Sequence, residues 1–196
     1  MTVSTVELFF ALLAFLAVGA IVTLVVVRLL AIGSPAARGW YRAIGTLIGP
    51  NAIGMAFWVA LLATMGSLYF SEVAGFEPCR LCWYQRIAMY PLVVILGIAA
   101  VRRDSAVRIY ALALAAIGAL LATYHVALEW IPALDTGACG AGPACSVIWF
   151  RVFGFISLPS LALIAFLLIL TLLSVRGPDA DHGDPGDDAD TDRSPA

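Results

Sequence analysis

Polar and apolar positions along the chain separate into five long apolar stretches divided by short charged ones. No charged residue falls between Leu8 and Val27, and Ala43 to Ser71 is uncharged throughout. Ile87 to Val101 forms a third run; Ile109 to Trp130 and Val152 to Val175 complete the set. A membrane-crossing helix needs about 20 apolar residues to span a ~30 Å hydrocarbon core. The pattern therefore predicts an all-α integral membrane protein with five spans. These are Val6 to Leu30, a segment within Ala43 to Ser71, Cys82 to Val101, Ile109 to Trp130 and Val152 to Val175. The third run alone, at about 1.5 Å per residue, covers roughly 22 Å. Its helix is expected to begin earlier, near Cys82, which puts Arg86 inside the helix one turn from its end. Pro91 is expected to bend it.

Composition sharpens this picture. The chain of 196 residues is 62% hydrophobic and 12% charged, against about 25% charged in a soluble domain. Net charge is -2, but six of the 13 acidic residues crowd between Asp181 and Asp192. The segment Gly177 to Ala196 is too polar to pack and reads as a disordered acidic tail, with His182 a solvated residue within it. Nothing in the charge pattern suggests nucleic-acid binding. The first stretch reads as a retained helix: it is too long for a signal peptide, lacks a basic start and ends at Arg28 instead of a cleavage site. The expected organisation is an N-terminal span and cytoplasmic loop (1–42), a membrane redox domain (43–176) and the tail (177–196).

Arginine placement sets the expected orientation. Arg28, Arg38 and Arg42 follow the first stretch, Arg102, Arg103 and Arg108 follow the third, and Arg176 follows the fifth. The positive-inside rule assigns these to the cytoplasm. The N-terminus and the two segments that carry cysteines are then extracytoplasmic, and the C-terminus is cytoplasmic.

All four cysteines fall in those outer segments, as Cys79 with Cys82 and Cys139 with Cys145. Paired cysteines on an oxidising face suggest disulfide chemistry. In EPCRLCWYQR (residues 77–86), a C-x-x-C precedes a helix whose free N–H groups and dipole favour a thiolate. Arg86, four residues after Cys82, shares its helix face. It can stabilise a Cys82 thiolate or bind a carbonyl oxygen of a molecule lodged in the lipid; an arginine that snorkels to the interface is the plainer alternative. A structural disulfide or half of a zinc site uses the same C-x-x-C spacing. Cys139 and Cys145 enclose a loop so short that a disulfide there contributes little stability, which favours a bond made to be attacked over a simple staple. Val147 to Phe150 follow as an apolar patch suited to the membrane surface. His125 lies near the outer end of the fourth span, either facing Arg86 or hydrogen-bonded within helix packing. Glu129, one turn on, reads as an interface residue. Two dithiol pairs on one face suggest an electron relay in which thiolate attack on a disulfide passes two electrons along. A lipid-soluble quinone is the natural acceptor.

EPCRLCWYQRIAMYPL, with TYHVALEW and the last span, resembles the signature of the DsbB/BdbC family of disulfide bond formation proteins. The resemblance covers about residues 50–175. It implies a four-helix bundle, to which the first span is an addition. It also implies an enzyme, a protein-dithiol:quinone oxidoreductase of the cytoplasmic membrane. Such an enzyme reoxidises a DsbA/BdbD-like thioredoxin-fold oxidase and reduces ubiquinone or menaquinone. Carried over by position, Cys79 and Cys82 are the quinone-coupled pair, with Cys82 nearest the quinone. Arg86 and His125 belong to the quinone region. Cys139 and Cys145 are the pair that meets the oxidase, with Cys139 forming the mixed disulfide. Two rival readings remain. One is a vitamin K epoxide reductase-type protein, disfavoured because its C-x-x-C comes late in the chain. The other is a non-catalytic membrane subunit stapled by two disulfides.

Overall fold

The computed structural model describes residues 2–135, 137, 139–140 and 143–175. Arg176 and the acidic tail with His182 lie outside the described residues. All the regular structure described is helical apart from one isolated antiparallel bridge, as the apolar pattern predicts.

Helix α1 spans Val3–Gly33 and ends where Ser34 turns extended. Ser34 then caps α2 (Pro35–Ile48): its hydroxyl accepts from the Ala37 N–H at 3.5 Å, and Pro35 occupies the first turn. The sequence reading places Arg38 and Arg42 in a loop; they instead lie exposed on α2. Their segregation from half-buried Ala37, Tyr41 and Ile44 makes α2 amphipathic, a helix for the membrane surface. A 3₁₀ turn (Gly49–Asn51) leads into α3 (Ala52–Leu68), which a π-helical turn extends through Val73.

Helix α4 spans Arg80–Arg102, two residues earlier than the sequence suggests, because Cys79 caps it. Helix α5 spans Arg108–Trp130 and α6 spans Leu158–Ser174. The last helix begins six residues later than the apolar run. Val152 pairs with Ile156 around a turn in which Phe153 and Gly154 have positive φ, and Ser157 and Ser160 then form a reciprocal capping box. Hydropathy cannot see this turn, since its residues are as apolar as the helix that follows. Helix α1, the run Pro35–Val73, α4 and α5 are long and apolar enough to cross a membrane, with α6 a shorter apolar helix. The chain is a multi-pass membrane protein.

Helices α3, α4, α5 and α6 pack in a ring, each against the next, with α6 closing on α3. Their shared core is rich in alanine, including Ala56, Ala60, Ala111, Ala115 and Ala122. Small residues let helices approach closely where no hydrophobic effect drives them together. The closest approach is at Gly118, where a Cβ would collide with the ring of fully buried Phe166. Helix α1 stands outside this bundle and docks on α6, burying Ala11 and Ala14 against Ile156. At the end away from the cysteines, Arg108 donates to the carbonyls of Leu173 (3.3 Å), Val175 (2.8 Å) and Gly49 (3.1 Å). These bonds satisfy carbonyls left open at a helix C-terminus.

Candidate functional site

Both cysteine pairs meet at one end of the bundle. Cys79 is extended at the start of α4, and its sulfur accepts the Cys82 N–H at 3.3 Å. The two sulfurs lie 2.9 Å apart. Cys79 is held well below the usual thiol range, at about 4: the hydrogen bond from the Cys82 thiol contributes most, burial opposes it, and His125 lowers it further. The stabilised thiolate expected for this pair therefore sits on Cys79, and Cys82 is its hydrogen-bond donor. The Arg86 guanidinium turns away to α3, donating from Nε to Ser67 Oγ and from Nη2 to the Ser67 carbonyl, each at 3.0 Å. It also lies 5.2 Å from the centre of the Trp83 ring. Arg86 is buried and bonded inward, so it does not snorkel.

The other pair forms a disulfide, Cys139–Cys145, with Cα atoms 5.8 Å apart. Both sulfurs are buried in one cluster with Cys79, Leu81 and Leu128. Gly140 has φ +64, and the Arg80 guanidinium packs where its Cβ would be. Glycine is required there on both counts. Trp149 stacks on Phe76 at 5.0 Å between centres, and Phe150 packs on Phe70 at 5.3 Å. Trp149 and Phe150 of the expected surface patch thus anchor the loop to the end of α3 and the segment after it, while Val147 and Ile148 remain exposed.

His125 joins the two pairs. Its Nδ1 lies 3.0 Å from Gln85 Nε2, and its Nε2 lies 3.1 Å from the Cys145 carbonyl and 3.6 Å from Cys79 Sγ. An amide nitrogen only donates and a carbonyl only accepts, so Nδ1 accepts and Nε2 carries the hydrogen. That N–H points at both the Cys145 carbonyl and the Cys79 sulfur. The structure places His125 with the cysteines; its partners are Gln85, Cys79 and Cys145, whereas Arg86 binds Ser67. Cys79, Cys82 and His125 offer donors within 4.8 Å of one another, a set that suits zinc; among the described residues no fourth such ligand joins them.

Two cavities flank the dithiol. A small one is lined by Cys79, Cys82, His125, Glu129 and Cys145. A large one, about 840 Å³, runs between α1 and helices α3, α4 and α6. Its walls are largely apolar; Ser67, Ser71, Glu77, Cys82, Gln85 and Arg86 line its cysteine end, and Thr23 and Tyr90 line it deeper in. Its volume falls within the roughly 300–1,000 Å³ typical of small-molecule sites. Cys82 lines both cavities, whereas Cys79 lines only the small one.

Three participants escaped the sequence reading. Ser67 lies nineteen residues before its arginine. Gln85 stands in the quoted motif, three residues after Cys82, and that spacing was its available signal. Glu129, read as an interface residue, is buried and accepts from Ser157 Oγ at 2.5 Å. Its i+4 spacing from His125 placed it on the same face.

The fold and site define a polytopic membrane thiol–disulfide protein. The family model "Disulfide bond formation protein DsbB" matches residues 50–175, and the chain belongs to this family of membrane disulfide oxidoreductases. It is 50% identical over 120 residues to "Disulfide bond formation protein C" of Bacillus subtilis, covering 60% of this chain and 87% of that protein. It is 43% identical over 131 residues to "Probable disulfide formation protein C 2" of Bacillus anthracis, covering 67% of this chain and 94% of that one. No solved structure matches the chain.

Proposed function

We propose that this oxidoreductase regenerates the disulfide of an extracytoplasmic, DsbA/BdbD-like thioredoxin-fold oxidase and delivers the electrons to a membrane quinone. One observation carries the reading. Cys82 and Arg86 open onto the large apolar cavity, while Cys79, bonded to Cys82, faces the Cys139–Cys145 disulfide. The dithiol therefore stands between a water-side disulfide and a lipid-side chamber.

The chemistry proceeds by two-electron exchange. A thiolate of the oxidase attacks Cys139, forming a mixed disulfide and releasing Cys145. The second oxidase thiolate resolves that bond, leaving the oxidase oxidised and Cys139 and Cys145 reduced. The Cys145 thiolate next attacks Cys79 of an oxidised Cys79–Cys82 pair and expels Cys82; Cys139 then displaces Cys79 from Cys145. His125 positions this exchange, because its Nε2–H reaches both the Cys145 carbonyl and the Cys79 sulfur.

The reduced pair, a Cys79 thiolate and a Cys82 thiol, returns to a disulfide by giving up two electrons and one proton on the cavity side, and water supplies the second proton that a quinol requires. A quinone bound there supplies the two-electron acceptor. The residues fit it: apolar walls suit a lipid-soluble molecule, and the Arg86 guanidinium at the polar end suits a ring carbonyl. Ser67 fixes that guanidinium from α3. Cys79, already accepting the Cys82 thiol hydrogen, is placed to take that proton as Cys82 becomes the attacking thiolate, and gives it up to the reduced acceptor when the Cys79–Cys82 bond closes. The outer location of this end follows from the arginines Arg102, Arg103 and Arg108 at the opposite end.

The test is quinone reduction by the purified protein in detergent, driven by a reduced thioredoxin-fold oxidase. Turnover in the wild type that disappears in both Cys82→Ser and Cys139→Ser is expected. Unchanged turnover in Cys82→Ser, or none in the wild type with either ubiquinone or menaquinone, would refute the relay.

A further inference from the structure

The large cavity has a wall that the matched family region does not supply. Residues 50–175 contain α3 to α6, whereas α1 lies before them. Leu13, Ala17, Ala20 and Leu24 of α1 nevertheless line the cavity, spaced as one stripe down a helix face. The helix is held at its edges. Ala11 and Ala14 bury against Ile156, and Phe15 packs on Phe153 and Phe155. Phe10 closes the cysteine end, with its ring over Gly66 and 5.8 Å from that of Phe70. Below Phe10 the cavity occupies the space between α1 and α3. From Phe10 to Leu24, at about 1.5 Å per residue, it runs roughly 21 Å, well over half of a ~30 Å bilayer core. Most polar groups cluster at one end; deeper in are Tyr90, one turn past Arg86, and Thr23, which bonds back to the Gly19 carbonyl at 2.8 Å.

We propose that α1 forms the wall of a tail channel. A quinone ring sits at Cys82 and Arg86, and its isoprenoid tail runs inward along the Leu13–Ala17–Ala20–Leu24 stripe. This rests on the quinone reading above and goes further, assigning α1 a part in substrate recognition. One polar end and a long, largely apolar remainder match an amphiphile with a small hydrogen-bonding head and a single long hydrocarbon chain. Small side chains at Ala17 and Ala20 leave the width that a tail needs.

The experiment compares KM for a quinone bearing several isoprene units with KM for its tail-less analogue, using full-length protein. Ala17→Trp and Ala20→Trp fill the channel and are expected to raise the ratio of the two KM values about tenfold. Val18→Trp, on the exposed face of α1, leaves that ratio unchanged. Equal effects on both quinones, or none on either, would overturn the channel. If the wild type reduces neither quinone, the functional reading itself fails, which is a different result. Photolabelling of unmodified protein covers the case in which the tryptophan variants do not fold. A tailed quinone carrying a photoreactive group at its far end should mark α1 peptides. Labels absent from α1, or displaced from it equally well by phospholipid as by unmodified tailed quinone, would refute the assignment.

Discussion

Cys79 shows how far local chemistry carries. A cysteine capping a helix three residues before its partner accepts a backbone N–H by geometry alone, and the motif predicts a stabilised thiolate. Which sulfur holds it depends on His125, forty-six residues away, whose Nε2–H reaches Cys79. With that thiol pushed down to about 4, the protein with Cys79 and Cys82 reduced and Cys139–Cys145 intact keeps Cys79 as a thiolate in neutral and mildly acid solution. Alkylation by iodoacetamide should therefore be nearly flat from pH 8 to pH 5.5, where an ordinary thiol of pKa about 8.5 slows about tenfold per unit. His125→Ala removes a donor that favours the charged form, so the profile should shift to higher pH. A wild-type rate that falls tenfold per unit across this range would contradict the assignment. Arg86 was legible by its spacing from Cys82, but its anchor Ser67 was not, because the rotation of α3 against α4 sets that contact.

At the scale of elements, the helices were legible by length and their faces were not. Helices α1, α3 and α6 are apolar nearly all round, so the sequence carries no amphipathic stripe to say which side meets a neighbour. The exceptions prove informative in physical terms. Helix α2 announces its orientation through Arg38 and Arg42, and α6 starts late because Ser157 and Ser160 cap it. The α5–α6 contact depends on Gly118 beneath the Phe166 ring. Gly118→Ala forces that fully buried ring to move, and overpacking of this kind costs about 1–3 kcal/mol. A lower thermal unfolding midpoint in detergent is expected. An unchanged midpoint would mean that the helices separate freely at this point.

For the whole molecule, the bundle brings the C-terminus of α3, the N-termini of α4 and α6 and the C-terminus of α5 to one end. Both cysteine pairs lie there, and Arg102, Arg103 and Arg108, at the end of α4 and the start of α5, lie at the other. If the arginines face the cytoplasm, a single cysteine placed at Ser105 in a cysteine-free background should react with a membrane-impermeant maleimide only after permeabilisation. One placed at Thr2 should react in intact cells. The opposite pattern would invert the orientation and put the dithiol in a reducing compartment, where the relay could not work.

Hydropathy and residue spacing suffice to specify a multi-span helical membrane protein with two close cysteine pairs, and to put Cys82 and Arg86 on one helix face. Those properties depend on hydropathy over about 20 residues and on spacings of three or four, both of which are local. Tertiary structure alone decided that Ser67 holds Arg86, that Gln85 orients His125, and that His125 links the disulfide loop to Cys79. It also turned Glu129 inward and set α1 across the large cavity. These depend on the rotation and tilt of apolar helices about their axes. Packing against neighbours fixes those angles, and nearly uniform hydropathy does not encode them.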